Sequence, residues 1–188
     1  PKDPVVLDIE KLSHEGRGLA HIDGKVIFVE EALPGERVSA VYTQKREAFD
    51  QAKAIEIVHA STARVEPLCQ YASICGGCSL QHFNPKAQLA FKAVVLHELL
   101  EHSLTDTDYK KIPSITGPHF GYRRKARLAV RYVHKKEQVL VGFREKNSSF
   151  ITNMASCEIL DAQVSLLLPA LSELIISFTA KSKTTVQI

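Results

Sequence analysis

Four cysteines most strongly constrain how this chain of 188 residues can fold. Three stand close together, as Cys69-x5-Cys75-Gly76-Gly77-Cys78, and Cys157 follows about eighty residues later. Four sulfur donors suit an iron–sulfur cluster or a structural zinc ion. Zinc usually takes paired Cys-x2-Cys ligands, and only one such pair is present, so the spacing favours a cluster. Free or disulfide-bonded thiols are the other alternative.

The two glycines between Cys75 and Cys78 support a ligand loop. Because Gly76 and Gly77 have no Cβ, we expect them to take positive φ, to wrap tightly and to bring backbone N–H groups close to sulfur. The eight histidines show no spacing typical of a metal site. The sequence therefore predicts a metal centre held by Cys69, Cys75, Cys78 and Cys157.

Charge is distributed unevenly along the chain. The net charge is +3, but the segment from Lys110 to Lys146 holds eleven Lys/Arg and two Glu, a local balance of +9 that leaves −6 for the rest. Such a concentration indicates an anionic partner such as nucleic acid, although a solvated charged surface is the common alternative. No apolar run approaches the ~18–20 residues of a membrane span, and reduced metal-binding cysteines favour the cytoplasm.

The first sixty residues predict a small β-barrel. An extended run over 5–12 and a bend at Gly16-Arg17-Gly18 are followed by a hairpin at Asp23-Gly24. The turn residues Pro34-Gly35 then precede a strand over 36–44. Lys45-Arg46-Glu47 is predicted to be the next hairpin tip, and 49–58 the fifth strand. Five short strands in so few residues favour a closed barrel of the OB type.

The rest of the chain predicts an α+β region. Asn84-Pro85 should begin an amphipathic helix that runs to about Ser103 and is ended by the polar segment 105–108. Its apolar face is expected at Leu89, Ala93, Leu96 and Leu100. A hairpin follows, with a tip over 134–137. A last helix is expected over about 161–178, with Pro169 marking a kink or a late start and one side formed by Leu167, Leu171, Leu174 and Phe178.

A strand over 121–132 is the second predicted functional feature. Alternation places four cations on one face, at spacings of ~6.6–7 Å that roughly match successive phosphates: Arg123, Lys125, Arg127 and Arg131. With Arg124 next to them, and Arg17, Lys45 and Arg46 on the barrel bends, these are the candidate RNA contacts. Phe28, Tyr42 and Phe49 could stack on bases, but barrel aromatics are more often core.

With these motifs the chain resembles the N-terminal part of the RumA/RlmD family, iron–sulfur methyltransferases that form 5-methyluridine in 23S ribosomal RNA. The resemblance rests on the cysteine motif with Gln81-His82 after it, on 121–128, and on Val141-Gly142-Phe143-Arg144. It departs at Glu158, where the family tends to have proline. The resemblance implies a TRAM domain over 1–60, a cysteine loop over 61–83, a linker helix over 84–104 and part of a central domain over 105–188.

The resemblance further implies a [4Fe–4S] cluster on the four cysteines and S-adenosylmethionine bound by a further domain. Family chemistry needs a cysteine nucleophile, and all four cysteines are assigned to the cluster, so no catalytic residue is expected here. With Pro1 first and 184–188 reading as an unfinished strand, we expect an inactive, monomeric piece of a longer enzyme that binds ribosomal RNA. The alternatives are a stand-alone RNA-binding or chaperone module, a redox protein, and a tRNA uracil-C5 methyltransferase.

Overall fold

A computed structural model of the chain describes residues 3–104 and 109–179. The chain divides into two compact units, Pro1–Glu66 with Leu80–Ser114, and Pro67–Ser79 with Ile115–Ile188. The predicted class, β and α+β, is confirmed, while the four predicted domain boundaries stay a prediction. The expected strand at 184–188 and the polar stretch at 105–108 lie outside the described residues. In the part of the chain described, no helix is long and apolar enough to cross a membrane.

A six-stranded sheet forms most of the first unit. Its strands are β1 (Val5–Asp8), β2 (Lys11–Leu12), β3 (Gly18–Ile22), β4 (Lys25–Glu30), β5 (Arg37–Lys45) and β6 (Phe49–His59). They are ordered β1-β5-β6-β4-β3-β2, with β4 and β6 parallel and the other pairs antiparallel. Because β1 and β2 are consecutive in the chain yet occupy opposite ends of this order, a bent first segment closes the barrel.

Local residue chemistry explains the turns of the barrel. The five-strand prediction was one strand short because the run over 5–12 breaks at Ile9-Glu10, where the Glu10 N–H donates to the Leu19 carbonyl at 2.9 Å. The predicted hairpin is confirmed, with φ of 50° at Asp23 and 78° at Gly24, as a two-residue turn of primed type requires. The core is formed by small and branched residues, among them Ile27, Val29 and Val38.

A buried ion pair attaches the segment that follows the barrel. The Glu36 side chain is fully buried and accepts from Arg64 Nε at 2.5 Å and from Arg64 Nη2 at 2.7 Å. The backbone N–H groups of Leu33 and Ser61 also donate to this carboxylate. Burial by itself would raise the pKa of Glu36, but these hydrogen bonds and the charge of Arg64 outweigh it, so the pKa lies below its ordinary value.

Helix α1 (Pro85–Ser103) belongs to the first unit and begins as predicted. The Asn84 side chain accepts from the Lys86 N–H at 2.9 Å, and Pro85 occupies the first turn. Its predicted apolar face is wrong in part, because Leu96 is exposed and no residue of the helix is buried. Val94 and Leu99 are also exposed. The other three residues of that face, Leu89, Ala93 and Leu100, are half-buried.

The second unit contains a hairpin and two short helices. Strands β7 (Ala129–Val133) and β8 (Gln138–Gly142) pair antiparallel around a 3-10 turn at His134–Lys136, which confirms the second hairpin. The prediction of a strand over 121–132 is wrong for most of its length. Only Arg123 forms an isolated bridge, to Leu160, and the strand starts where β8 supplies a partner.

The predicted last helix is two helices, α2 (Ala162–Leu166) and α3 (Leu168–Thr179). The break lies at Leu167, and Pro169 falls in the first turn of α3, where its missing N–H costs nothing. The side predicted to be apolar is exposed at Leu167, Leu171, Leu174 and Phe178. Leu168 is instead fully buried, and Ser172 Oγ donates to the Val139 carbonyl at 3.1 Å, which orients α3 against β8.

The buried ion pair yields a stability prediction. Glu36→Gln leaves Arg64 without its counter-charge and should destabilise the fold by about 3 kcal/mol at pH 7. Because the folded-state pKa of Glu36 is lowered, its contribution is complete above about pH 4.3 and is lost as the pH falls through the folded-state value. Urea unfolding at pH 7 and in acid measures both effects.

Asp8→Asn is the control, since Asp8 forms an exposed pair with Arg37 at 3.7 Å and should cost less than about 1 kcal/mol. Equal unfolding curves for Glu36→Gln and Asp8→Asn at pH 7 would contradict the assigned role.

Candidate metal centre and nucleic-acid interface

The second unit brings Cys75 of the close-spaced motif and the remote Cys157 into one buried cluster. Cys75 and Cys157 are 6% and 7% exposed and pack with Met154, Ile159, Leu160 and Leu168. Cys78 packs against this cluster from its edge. The Cys157 N–H donates to Ser165 Oγ at 2.8 Å, which fixes the backbone at the remote ligand position.

Cys69 lies near the same centre. Burial raises the pKa of the Cys69 thiol, while a hydrogen bond from the Tyr71 backbone lowers it. Negative charge on Cys157, Cys75 and Glu158 would raise this pKa further. Several thiolates in an apolar site repel one another, so a bound cation would favour their ionised form.

Protein contacts hold the cysteine loop in the second unit. Cys75 forms an isolated bridge with Glu145, and the Gly76 N–H donates to the Arg144 carbonyl at 2.9 Å. Lys146 Nζ donates to the Ala72 carbonyl at 2.7 Å. Tyr71 Oη accepts from the Ala155 N–H at 3.2 Å, two residues before Cys157. The loop is thus fastened both to 144–146 and to the segment that carries the fourth cysteine.

Gly76 and Gly77 are required for a reason other than the one predicted. Positive φ occurs at other glycines, Gly16, Gly24, Gly35 and Gly121, so the expectation for this pair is wrong. A Cβ on Gly76 would lie 2.9 Å from the Arg144 carbonyl oxygen, and one on Gly77 would lie 2.9 Å from the Phe143 ring. The absence of a side chain therefore permits close packing. The Gly77 N–H does approach sulfur, at 3.4 Å from Cys75 Sγ.

The four thiols are candidate ligands for a sulfur-bound group. Cys75 and Cys157 are buried, whereas Cys69 and Cys78 are half-buried. Across residues 3–104 and 109–179, no three His, Cys, Asp or Glu side chains are close enough to hold a metal ion. Four cysteine sulfurs, with a backbone N–H near one of them, are the donor set that an iron–sulfur cluster or a zinc ion takes.

Most cations of the predicted interface in the second unit are exposed. Arg124, Lys125, Arg127 and Arg131 are all solvent-facing, and none forms an ion pair with a described residue. Arg123 differs, because it is half-buried and its guanidinium lies 5.5 Å from the Phe143 ring centroid. Since 124–128 form no strand, the single charged face that alternation predicted is not formed.

The candidate cations of the barrel each lie over an aromatic ring. Arg17 is 4.6 Å from the centroid of Phe28, Lys45 4.2 Å from that of Tyr42 and Arg46 5.4 Å from that of Phe49. Arg17 also pairs with the exposed Glu15. Tyr42 packs against the core, as expected for a barrel aromatic, but Phe28 and Phe49 are outside it. The expectation that these two rings are core is wrong, although their alternation with buried neighbours along the strands was a usable signal.

Comparison with known proteins agrees with this geometry. The TRAM domain family matches residues 5–47, which cover β1 to the end of β5. The match ends before β6, the last strand of the sheet.

Similarity extends well beyond the TRAM domain. The chain is 46% identical over 179 residues to the 23S rRNA (uracil(1939)-C(5))-methyltransferase RlmD of Nitrosococcus oceani, covering 95% of the chain and 40% of the relative. It is 49% identical to proteins of the same name from Alcanivorax borkumensis, over 85% of the chain, and from Aromatoleum aromaticum, over 89%. The matched segments cover 36% and 39% of these two relatives' lengths. The resemblance to the RumA/RlmD family is confirmed, and the chain spans about two fifths of the length of the relatives it matches.

One solved structure shares the fold. The crystal structure of Pyrococcus abyssi tRNA (uracil-54, C5)-methyltransferase, in complex with S-adenosyl-L-homocysteine, aligns with a TM-score of 0.58 over 96% of this chain and 38% of that one. The sequences are 24% identical, so the likeness concerns the fold alone. The role of the four cysteines and of the candidate cations stays a prediction.

The close approach of Gly76 to residue 144 can be tested by substitution. Gly76→Ala should displace the cysteine loop from the Arg144 carbonyl and destabilise the second unit by about 1–3 kcal/mol. Gly117→Ala is the matched control, because a Cβ there meets nothing within 4 Å. Thermal unfolding with limited proteolysis measures the effect, and equal behaviour of the two variants would contradict the packing role.

Proposed function

We propose that the chain is the RNA-binding and cluster-bearing part of an S-adenosylmethionine-dependent 23S rRNA uracil-C5 methyltransferase of the cytoplasm. The similarity to RlmD enzymes over nearly the whole chain carries this proposal. The TRAM domain and the local charge of +9 between Lys110 and Lys146 support RNA as the partner. A redox protein or an RNA chaperone gains no comparable support.

The exposed cations in 124–131 would contact phosphates of the RNA. Their side chains face solvent without carboxylate partners among the described residues, so each can release counterions when it meets a phosphate. Arg123 would contribute less, because its guanidinium is already placed over Phe143. The interface in this unit is therefore an extended basic segment rather than one face of a strand.

Cys69, Cys75, Cys78 and Cys157 would hold a [4Fe–4S] cluster. When bound, this group supplies a cationic inorganic core that all four thiolates share. Its role here would be structural, because Cys157 lies in the same buried cluster as Cys75 although about eighty residues separate them. Hydrogen bonds of Tyr71 and Lys146 orient the loop that carries three of the four cysteines.

The methyl transfer itself would be performed by residues outside this chain. Uracil C5 is activated when a cysteine thiolate attacks C6, and a general base later removes the C5 proton. With all four cysteines committed to the cluster, these 188 residues retain no such nucleophile. We therefore propose that they bind RNA and that the S-adenosylmethionine site lies in the remaining part of a protein of the relatives' length.

Loss of one cluster ligand gives the first test of this proposal. Cys75→Ser, purified without oxygen, should lose its bound iron and become sensitive to protease within 67–79, because the remaining thiols can no longer share one core. Iron analysis and protease mapping by mass spectrometry measure this. Ser79→Ala, an exposed neighbour, is the control. An iron-free Cys75→Ser that resists protease and binds RNA as wild type does would refute the structural role.

The basic segment gives the second test. Arg127→Gln should weaken RNA binding and reduce the slope of log affinity against log salt by about 0.7, the value of one phosphate contact to a single strand. Lys92→Gln, on the exposed side of α1, should leave the slope unchanged. A titration with an rRNA hairpin and with a tRNA arm compares the two substrate classes, and an unaltered slope for Arg127→Gln would remove this residue from the interface.

A further inference from the structure

Two phenylalanines lie on the outer face of the barrel instead of in its core. On β4, Ile27 and Val29 are buried, so Phe28 between them points to the opposite side of the strand. On β6, Asp50 is buried and Phe49 likewise points outward. The two strands are neighbours in the sheet. The rings of Phe28 and Phe49 meet edge to face, with centroids 5.4 Å apart and planes at 88°.

Each of these rings is covered by an arginine. The Arg17 guanidinium lies 4.6 Å from the Phe28 centroid, and that of Arg46 lies 5.4 Å from the Phe49 centroid. The turn that carries Arg46 is fixed, because its backbone N–H donates to Asp50 Oδ1 at 3.1 Å. Lys25 Nζ donates to the same oxygen at 2.8 Å, so a second cation steadies this carboxylate.

This arrangement has the parts that recognise an unpaired nucleotide. A guanidinium plane or an aromatic face can stack on any base, and the arginine charge can at the same time attract the adjoining phosphate. An acidic protein partner would pair with the arginine charges but would make no stacking contact with the phenylalanine rings. Single-stranded nucleic acid can make both contacts, because its bases stack on the rings and its phosphates pair with the arginines.

We propose that Phe28, Phe49, Arg17 and Arg46 form a stacking platform for two unpaired bases of the bound RNA. The inference rests on the proposed RNA-binding function and adds the ligand group that this face of the TRAM domain holds. Each phenylalanine with its arginine would accept one base, and Lys45 beside Tyr42 would add charge at the β5–β6 end. Sequence preference is not expected, because every base offers a π face.

The test uses the 188-residue chain and an oligouridine of about 12 nucleotides, within the site size of an OB fold. Phe49→Leu keeps an apolar side chain but removes the ring, and should weaken binding about 5- to 150-fold, the value of one stacked base. The salt slope should stay unchanged, since no charge is lost. Ile55→Ala, an exposed residue on the same strand, is the matched control and should bind as wild type does. Circular dichroism and thermal unfolding confirm that each variant is folded.

A second readout reports stacking directly. A single 2-aminopurine placed in the oligonucleotide should lose fluorescence on binding to the wild-type chain and retain more of it with Phe49→Leu. If the wild-type chain binds no RNA, the proposed function itself fails. If it binds RNA while Phe28→Leu and Phe49→Leu bind equally tightly and quench equally, only the platform is overturned. Weaker binding of both variants with reduced quenching supports it.

Discussion

The burial of Cys75 and Cys157 in one apolar cluster is the constraint on which the second unit depends. Burial raises the pKa of the Cys69 thiol, and ionisation of Cys157 or Cys75 would raise it further. Hydrogen bonds from 144–146 and from Ala155 bring the loop to this position, but they leave several ionisable sulfurs in a poorly solvated place. A cationic core shared by the sulfurs removes that repulsion, so folding and cluster binding would support each other.

Backbone hydrogen bonds within the first unit join the two segments that flank the cysteine loop in the sequence. The segment before the cysteines pairs with the segment after them, through the Val65 N–H to the His82 carbonyl at 3.0 Å and the Asn84 N–H to the Ala63 carbonyl at 2.8 Å. Arg64, between these bonds, is held by the buried Glu36 of the barrel. The segments 63–65 and 82–84 are therefore held together within the first unit.

Local sequence signals predicted what local chemistry decides. Asp23-Gly24, Asn84-Pro85 and the hairpin tip at 134–137 all lie where the residues indicated. Predictions of elements that need a neighbouring element to pack or pair with were less accurate. Alternation over 121–132 indicated a strand, yet 124–128 meet no partner strand among the described residues, and the apolar side at Leu171 and Leu174 is exposed. Gly76 and Gly77 were identified correctly as special, but tertiary approach rather than backbone conformation explains them.

The most direct test of the central claim is the metal content of the 188-residue chain purified without oxygen, with acid-labile sulfide and Mössbauer spectra measured on the same sample. We expect four irons and four sulfides per chain, in a single [4Fe–4S] signal, and loss of that signal in Cys157→Ser. One zinc ion per chain without sulfide, or an unchanged cluster in Cys157→Ser, would contradict the central claim.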